Sequence, residues 1–284
     1  MTEQTFRIGG ELDVRRLGFG AMRLPTEPDG ARAASVALVR RAVDLGVTLI
    51  DTAHLYGGGA NEELLAEALH PYPKGLLVTT KVGVARTGQG GEWRLDGRPE
   101  LLREQVEAAL RRLRVERIDL LQLHRIDPET PLDDQIGTLR DLRAEGLIGH
   151  IGLSEVTAGQ LARARRTVEI ASVQNRYNLL DREHEEVLEA CEEAGIAFLP
   201  WRPVAAGEAG AREEVAAVAS ETGATATQVA LAWLLGRSPV MLPIPGTASV
   251  GHLEENLAAA HVVLDAAQRA RLDRLAADTA PGPA

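Results

Sequence analysis

The 284-residue sequence predicts an α/β protein: a (β/α)8 TIM barrel with an N-terminal β-hairpin and a C-terminal helix, forming a single domain over residues 1–284. Three observations lead there. Eight short runs rich in Val, Leu and Ile alternate strictly with helical patterns, which points to parallel strands joined by crossover helices. The runs show no polar alternation, so both faces of the sheet should be covered. The length suits a barrel of about 250 residues, and no linker, repeat or low-complexity stretch divides the chain.

Taken in order, the chain opens on "TFRIGGELDV", read as a small hairpin that turns at Gly9 and Gly10 and plugs the bottom of the barrel. The strands are expected at residues 17–22, 47–51, 76–82, 118–124, 148–154, 170–174, 196–201 and 240–244. Asn61, followed by Glu62 and Glu63, marks a helix start, and "TAGQ" at Thr157 to Gln160 has capping-box spacing. "EVLEACEEAG" ends on Gly195, a helix stop placed just before a strand. "DAAQRARLDRLAAD" reads as the C-terminal helix, and residues 278–284 as a flexible tail.

Composition removes several classes of function. Asp and Glu (41) outnumber Lys and Arg (31), a net charge of −10 that argues against a general affinity for nucleic acid or anionic membrane. The single Cys191 excludes an internal disulfide framework and reads as a buried thiol. The N-terminus has no basic and apolar leader pattern, and no apolar run approaches the ~18 residues that span a bilayer. A cytoplasmic protein is expected, as a monomer or weak homo-oligomer.

In such barrels, chemistry sits at the C-terminal ends of the strands. Asp51 closes the second run and Tyr56 follows it in "DTAHLYG"; Lys81 closes the third, and His124 the fourth. Of 31 basic residues only Lys74 and Lys81 are lysines, so the sequence uses arginine nearly everywhere that a bare positive charge suffices. A lysine inside an apolar strand needs an anion to compensate its desolvation, and Asp51 is the nearest candidate. Taken alone, such a pair could equally serve only to fix the barrel.

Together these residues resemble the aldo-keto reductases. The resemblance runs through "VRRLGFGAMRL", "DTAHLYG", "TTKVG", "IDLLQLHRID", "GLSE", "VQNRYN" and "IPGTASVGHLEEN", with a lysine 25 residues beyond Tyr56 and a histidine 43 beyond that lysine. It implies that Asp51, Tyr56, Lys81 and His124 form the catalytic tetrad of a nicotinamide-dependent carbonyl reductase acting on small-molecule aldehydes or ketones. Hydride transfer to a carbonyl leaves an alkoxide that needs a proton. Tyr56 would supply it, Lys81 would ease the loss, Asp51 would hold the ammonium, and His124 would donate to the carbonyl oxygen.

The resemblance also implies a coenzyme site. Ser154 and Gln174 match carboxamide-binding positions, and Trp201 the aromatic that stacks on the nicotinamide, with Met22, Asp51 and Arg202 beside them. Gly246, Thr247, Ser249, His252, Glu255 and Asn256 match the adenosine phosphate region. The implied coenzyme is NADPH, with NADH possible, and the chain departs from the family pattern in three places. Glu155 stands where many members have Asn, Gly246 where some have a phosphate-binding Lys, and His252 where Arg is common.

Other features carry less. His54 is expected to pack or hydrogen-bond locally, "GGG" at Gly57 to Gly59 to turn into the next helix, and "HEEVL" at His184 to form a solvated face. "LGFGAM" lacks the third glycine of a dinucleotide fingerprint. "RTGQGGEWRLDG", with Trp93, reads as a mobile lid, and the loop after the seventh run as short. Two other functions remain open: a dinucleotide-binding regulatory member with little turnover, and a Schiff-base lyase using Lys81.

Overall fold

The computed structural model describes residues 5–87 and 92–275. Strands Thr5–Ile8 and Leu12–Arg15 pair antiparallel around Gly9 and Gly10, both at positive φ, as the hairpin reading requires. Its inward side chains, Ile8 and Val14, pack in one apolar cluster with Leu49, Leu77, Leu120, Ala197, Leu242 and Ile244. The hairpin therefore closes the end of the barrel at which the strands begin.

Seven parallel strands follow in the order Ala197–Phe198, Ser172–Gln174, Ile148–Ser154, Ile118–Leu123, Leu77–Val82, Leu49–Asp51 and Phe19–Gly20. The eighth expected strand, residues 240–244, is not a regular one. Its backbone nevertheless closes the ring. On one side Phe198 N–H donates to Val240 O and Leu242 N–H to Phe198 O, both at 2.8 Å; on the other Gly18 donates to Pro243 O at 2.9 Å and Gly20 to Pro245 O at 3.3 Å. Pro243 and Pro245 have no N–H to return, so this segment can only accept on that side. A Cβ at Gly20 would lie 2.7 Å from Ile244 O, so the first strand must be glycine there to approach so closely.

Most of the expected strands are shorter at their ends than the apolar runs that announced them. The first covers only Phe19–Gly20, and Met22 lies exposed in the helical turn Ala21–Arg23. The helix expected to start at Asn61 spans Ala60–Leu69, capped by Gly59. Asn61 is instead buried, accepting from Thr52 Oγ1 at 2.6 Å and donating to Ala21 O at 2.9 Å. A local start signal here serves to tie the first two barrel strands to the helix. The Thr157 and Gln160 capping box and the left-handed Gly195 cap occur as expected. The C-terminal helix is Ala266–Asp273; the proposed tail at 278–284 lies outside the described residues.

Side chains alternate along a strand, so every second residue enters the barrel. Following the inward set upward from Leu49, Leu77 and Leu120, the next positions are Asp51, Thr79 and Gln122, and then Lys81 and His124, all of them buried. The interior thus changes from apolar to polar toward the C-terminal rim. No helix among the described residues is long and apolar enough to cross a membrane.

Candidate active site

Lys81 stands at the centre of the polar layer. Its ammonium donates to Asp51 Oδ2 at 2.6 Å, to Thr52 O at 2.8 Å and to the Tyr56 hydroxyl at 3.5 Å. Burial works to lower the Lys81 pKa, but Asp51 outweighs it, aided by Tyr56, and the net direction is upward. The amine is therefore held as an ammonium. Asp51 is fixed from its other oxygen: Gln174 Nε2 donates to Oδ1 at 2.9 Å and Gln122 Nε2 at 3.2 Å.

Tyr56 reaches this group because "YGGG" makes a tight turn. Gly57, Gly58 and Gly59 all have positive φ, which an L side chain adopts only with strain, and the chain passes through them straight into the next helix. Burial raises the Tyr56 pKa more than Lys81 lowers it, so the phenol keeps its proton near neutrality. His124 packs edge-on to Tyr56, ring centroids 6.1 Å apart. Burial, with Lys81 next in importance, pushes the His124 pKa down to about 2, and its Nδ1 is buried without a hydrogen-bond partner. The imidazole is neutral and retains one N–H to donate.

His54 does bond locally, accepting from Arg112 Nη2 at 2.7 Å, and the same arginine pairs with the buried Glu62 at 2.6 Å. Glu62 in turn accepts from Thr80 Oγ1 at 2.6 Å. This chain supports the loop that carries Tyr56 from outside the barrel.

The remaining predicted positions lie around the same rim. Ser154 is buried and accepts from Arg125 Nη1 at 3.0 Å. Trp201 is half-buried rather than part of the core, and its indole N–H donates to Glu155 Oε1 at 2.5 Å. Glu155 also accepts from Arg176 N at 2.7 Å and has φ +55°, so its departure from Asn places a carboxylate that braces Trp201. His184 is half-buried with Nε2 3.9 Å from Glu155 Oε2, which corrects its reading as a solvated face. Arg202 is exposed, at φ +54°, and pairs with Glu208 at 3.3 Å.

Gly246 has no room for a side chain: a Cβ would lie 2.7 Å from Gly20 O. Thr247 is buried, and Ser249 caps helix Val250–Ala258, leaving His252 exposed in its first turn. Glu255 accepts from Thr225 Oγ1 at 2.6 Å, and Asn256 is buried. The lid expected over residues 86–97 is in part an antiparallel pair, Val84–Thr87 with Glu92–Leu95, carrying an exposed Trp93; its tip, residues 88–91, lies outside the described residues. The loop after the seventh strand is folded into the helical turns of Ala205–Ala211.

Residues 16–277 match the model of the Aldo/keto reductase family. The chain belongs to that family. It is 47% identical to an uncharacterized oxidoreductase of Schizosaccharomyces pombe over 93% of this chain and 87% of the relative. It is 38% identical to pyridoxine 4-dehydrogenase of Escherichia coli, over 91% and 93%. Among solved structures it is similar to a glycerol dehydrogenase of Gluconobacter oxydans, with a TM-score of 0.92 and 26% identity over 100% and 98% of the two chains. An aldo-keto reductase of Klebsiella pneumoniae in complex with NADPH matches with a TM-score of 0.86 and 28% identity over 100% and 98%.

Two residues at this aldo-keto reductase rim escaped the sequence reading. Gln122 holds Asp51, and it was detectable as a polar residue two positions before His124 on the same inward face. Arg125 bonds His124 O at 2.6 Å as well as Ser154 Oγ. Only its place at a strand end could have drawn notice.

Proposed function

We propose that the protein is an NADPH-dependent reductase of small aldehydes and ketones, with Tyr56 as the proton donor. The observation that carries this is the shared contact of Lys81 with Asp51 and the Tyr56 hydroxyl, with His124 edge-on to the same phenol. The NADPH-bound relative from Klebsiella pneumoniae supports the coenzyme. The residues present suit it. Ser154 and Gln174 offer a buried hydroxyl and amide for a carboxamide, the braced Trp201 an aromatic face, and the capped start of Val250–Ala258 backbone donors and His252 for phosphate. When bound, the reduced coenzyme supplies a hydride to the carbonyl carbon.

The chain's own residues then handle the developing negative charge on oxygen. His124, neutral, donates its remaining N–H to that oxygen without itself changing protonation. Tyr56, held protonated by burial, is the acid that delivers the proton, and the fixed Lys81 ammonium stabilises the phenolate left behind. Asp51, gripped by Gln122 and Gln174, keeps that ammonium from turning toward solvent.

The test is oxidation of NADPH in the presence of para-nitrobenzaldehyde, followed by a panel that includes pyridoxal, since one relative is named pyridoxine 4-dehydrogenase. Turnover abolished by Tyr56→Phe is expected. Coenzyme binding with no turnover of any carbonyl would instead favour a regulatory dinucleotide-binding protein. Borohydride trapping of a carbonyl substrate on Lys81 would favour a lyase, although a lysine held as an ammonium is a poor nucleophile.

A further inference from the structure

Arg125 follows His124 at the rim. Its Nη1 donates to two neutral oxygens, His124 O at 2.6 Å and Ser154 Oγ at 3.0 Å. Among the described residues, Nε and Nη2 donate no hydrogen bond, and no carboxylate comes within 4.0 Å of the guanidinium. The side chain is half-buried. Arginines at other half-buried positions are treated differently here: Arg112 is matched by Glu62, and Arg237 by Glu185. Withdrawing a cation from water without an anion is unfavourable, and a guanidinium fork presents paired donors suited to a carboxylate or phosphate.

Arg125 sits at the rim that carries His124 and Ser154. His124 and Ser154 end adjacent parallel strands, and Arg125 spans them. The guanidinium is close enough to Tyr56 and to Glu155 for each to act on it: burial lowers the Arg125 pKa, and these two groups oppose that. Glu155 Oε1 accepts from both the Trp201 indole and the Arg176 amide, which anchors that carboxylate away from direct contact with Arg125. A cation thus stands at the rim of the site with Nε and Nη2 uncommitted among the described residues.

We propose that Arg125 selects carbonyl substrates that carry an anionic oxygen, a carboxylate, phosphate or phenolate, on the same small scaffold as the reacting carbonyl. This rests on the carbonyl-reductase reading above and adds a substrate class to it. In that arrangement the anion pairs with the free edge of Arg125 while the carbonyl oxygen lies against His124 and Tyr56. Arg125 is then a specificity-determining residue and takes no part in proton transfer. Its contacts with His124 O and Ser154 Oγ give the guanidinium a fixed aim.

The test has a binding arm and a kinetic arm, each using isosteric charged and neutral probes. Benzoate and benzamide are titrated calorimetrically into the protein with NADPH, for wild type, Arg125→Met and Arg125→Lys. Benzoate is expected to bind wild type more tightly than benzamide by about tenfold or more, as a charge-assisted bidentate contact allows. That preference should collapse in Arg125→Met and return in part in Arg125→Lys. The kinetic arm compares kcat/KM for meta- and para-formylbenzoate with the matching formylbenzamides. Comparing the charged-to-neutral ratio between proteins cancels intrinsic aldehyde reactivity, and the ratio should fall about tenfold or more from wild type to Arg125→Met. Adding formylmethyl phosphate and an ortho-phenolic aldehyde distinguishes the three anion sources.

Equal charged-to-neutral ratios in wild type and Arg125→Met would overturn the proposal, leaving Arg125 as a brace for Ser154. Failure of the reductase reading looks different. No aldehyde would then be turned over, while the benzoate preference and its loss in Arg125→Met would persist.

Discussion

Lys81 Nζ lies 2.6 Å from Asp51 Oδ2, with side-chain exposures of 0% and 4%. A pair so completely removed from water is a structural hazard if one member is lost. Asp51→Asn is expected to destabilise the fold by about 3–5 kcal/mol, because Lys81 would remain buried without its counter-charge. Denaturant midpoints measure this. Loss of activity with an unchanged midpoint would mean that Lys81 finds another anion. Lys81→Arg should restore neither function nor fit: its planar fork cannot reproduce a compact contact with both Asp51 and Tyr56.

Tyr56→Phe removes a hydroxyl that, among the described residues, bonds only Lys81, and should leave the fold intact. A loss in turnover on the order of 10² or more is expected for a positioned acid, with NADPH affinity nearly unchanged. Single-turnover rates and a coenzyme titration, made on the same preparation, check both. Near-normal kcat would assign the proton donor elsewhere.

His124 ties stability to pH. In the folded protein burial takes its pKa down to about 2, against about 6.5 for a histidine in an unfolded chain. Between those values the unfolded chain binds the proton that the folded protein refuses, so the contribution to stability falls as pH drops below about 6.5. At pH 5 the loss is about 2 kcal/mol, from ~1.4 kcal/mol for each pH unit. His124→Gln should therefore lose less stability than wild type between pH 7.5 and pH 5. Parallel losses in the two proteins would place the acid sensitivity in other groups. Because His124 stays neutral, it should contribute no limb to the pH profile of kcat/KM above pH 4.

Glu155 braces Trp201, and the brace can be removed without touching the indole. Glu155→Ala should free the ring, weaken coenzyme binding several-fold and reduce coenzyme quenching of tryptophan fluorescence; Trp201→Ala should cost roughly 1–3 kcal/mol of coenzyme binding if the ring stacks. Glu155→Gln keeps one acceptor oxygen and should lie between. Unchanged affinity in all three would remove Trp201 from the coenzyme site.

What the sequence disclosed and what it hid divide along a physical line. Asp51, Lys81 and His124 were legible because each places a titratable group at the end of an apolar run, a departure that desolvation makes costly. Gln122 announced only that an inward position two before His124 is polar, since its partner Asp51 lies 71 residues away. Asn61 announced its helix, which begins one residue earlier at Ala60, but gave no sign of its bonds to Thr52 and Ala21. The eighth strand was visible as an apolar run, but Pro243 and Pro245 deny it the donors of a regular ladder. The uncommitted donors of Arg125 depend on where Glu155 turns its carboxylate, which no local pattern records.

Coenzyme choice turns on the one cation-capable side chain in the first turn of Val250–Ala258. NADPH differs from NADH by a ribose phosphate, and each charge-assisted hydrogen bond to it contributes about 1.5–3 kcal/mol. Gly246 supplies no side chain and cannot accept one, because Gly20 O occupies the space. Thr247, the Ser249 cap and the helix's first amides remain, with His252 exposed beside them. Arginine would bring a permanent charge and a paired donor fork to that place. His252→Arg is therefore expected to raise the kcat/KM ratio of NADPH over NADH, and His252→Ala to lower it. In wild type the ratio should exceed one. A ratio unchanged in both variants would separate His252 from the phosphate, and a wild-type ratio below one would make the protein an NADH enzyme.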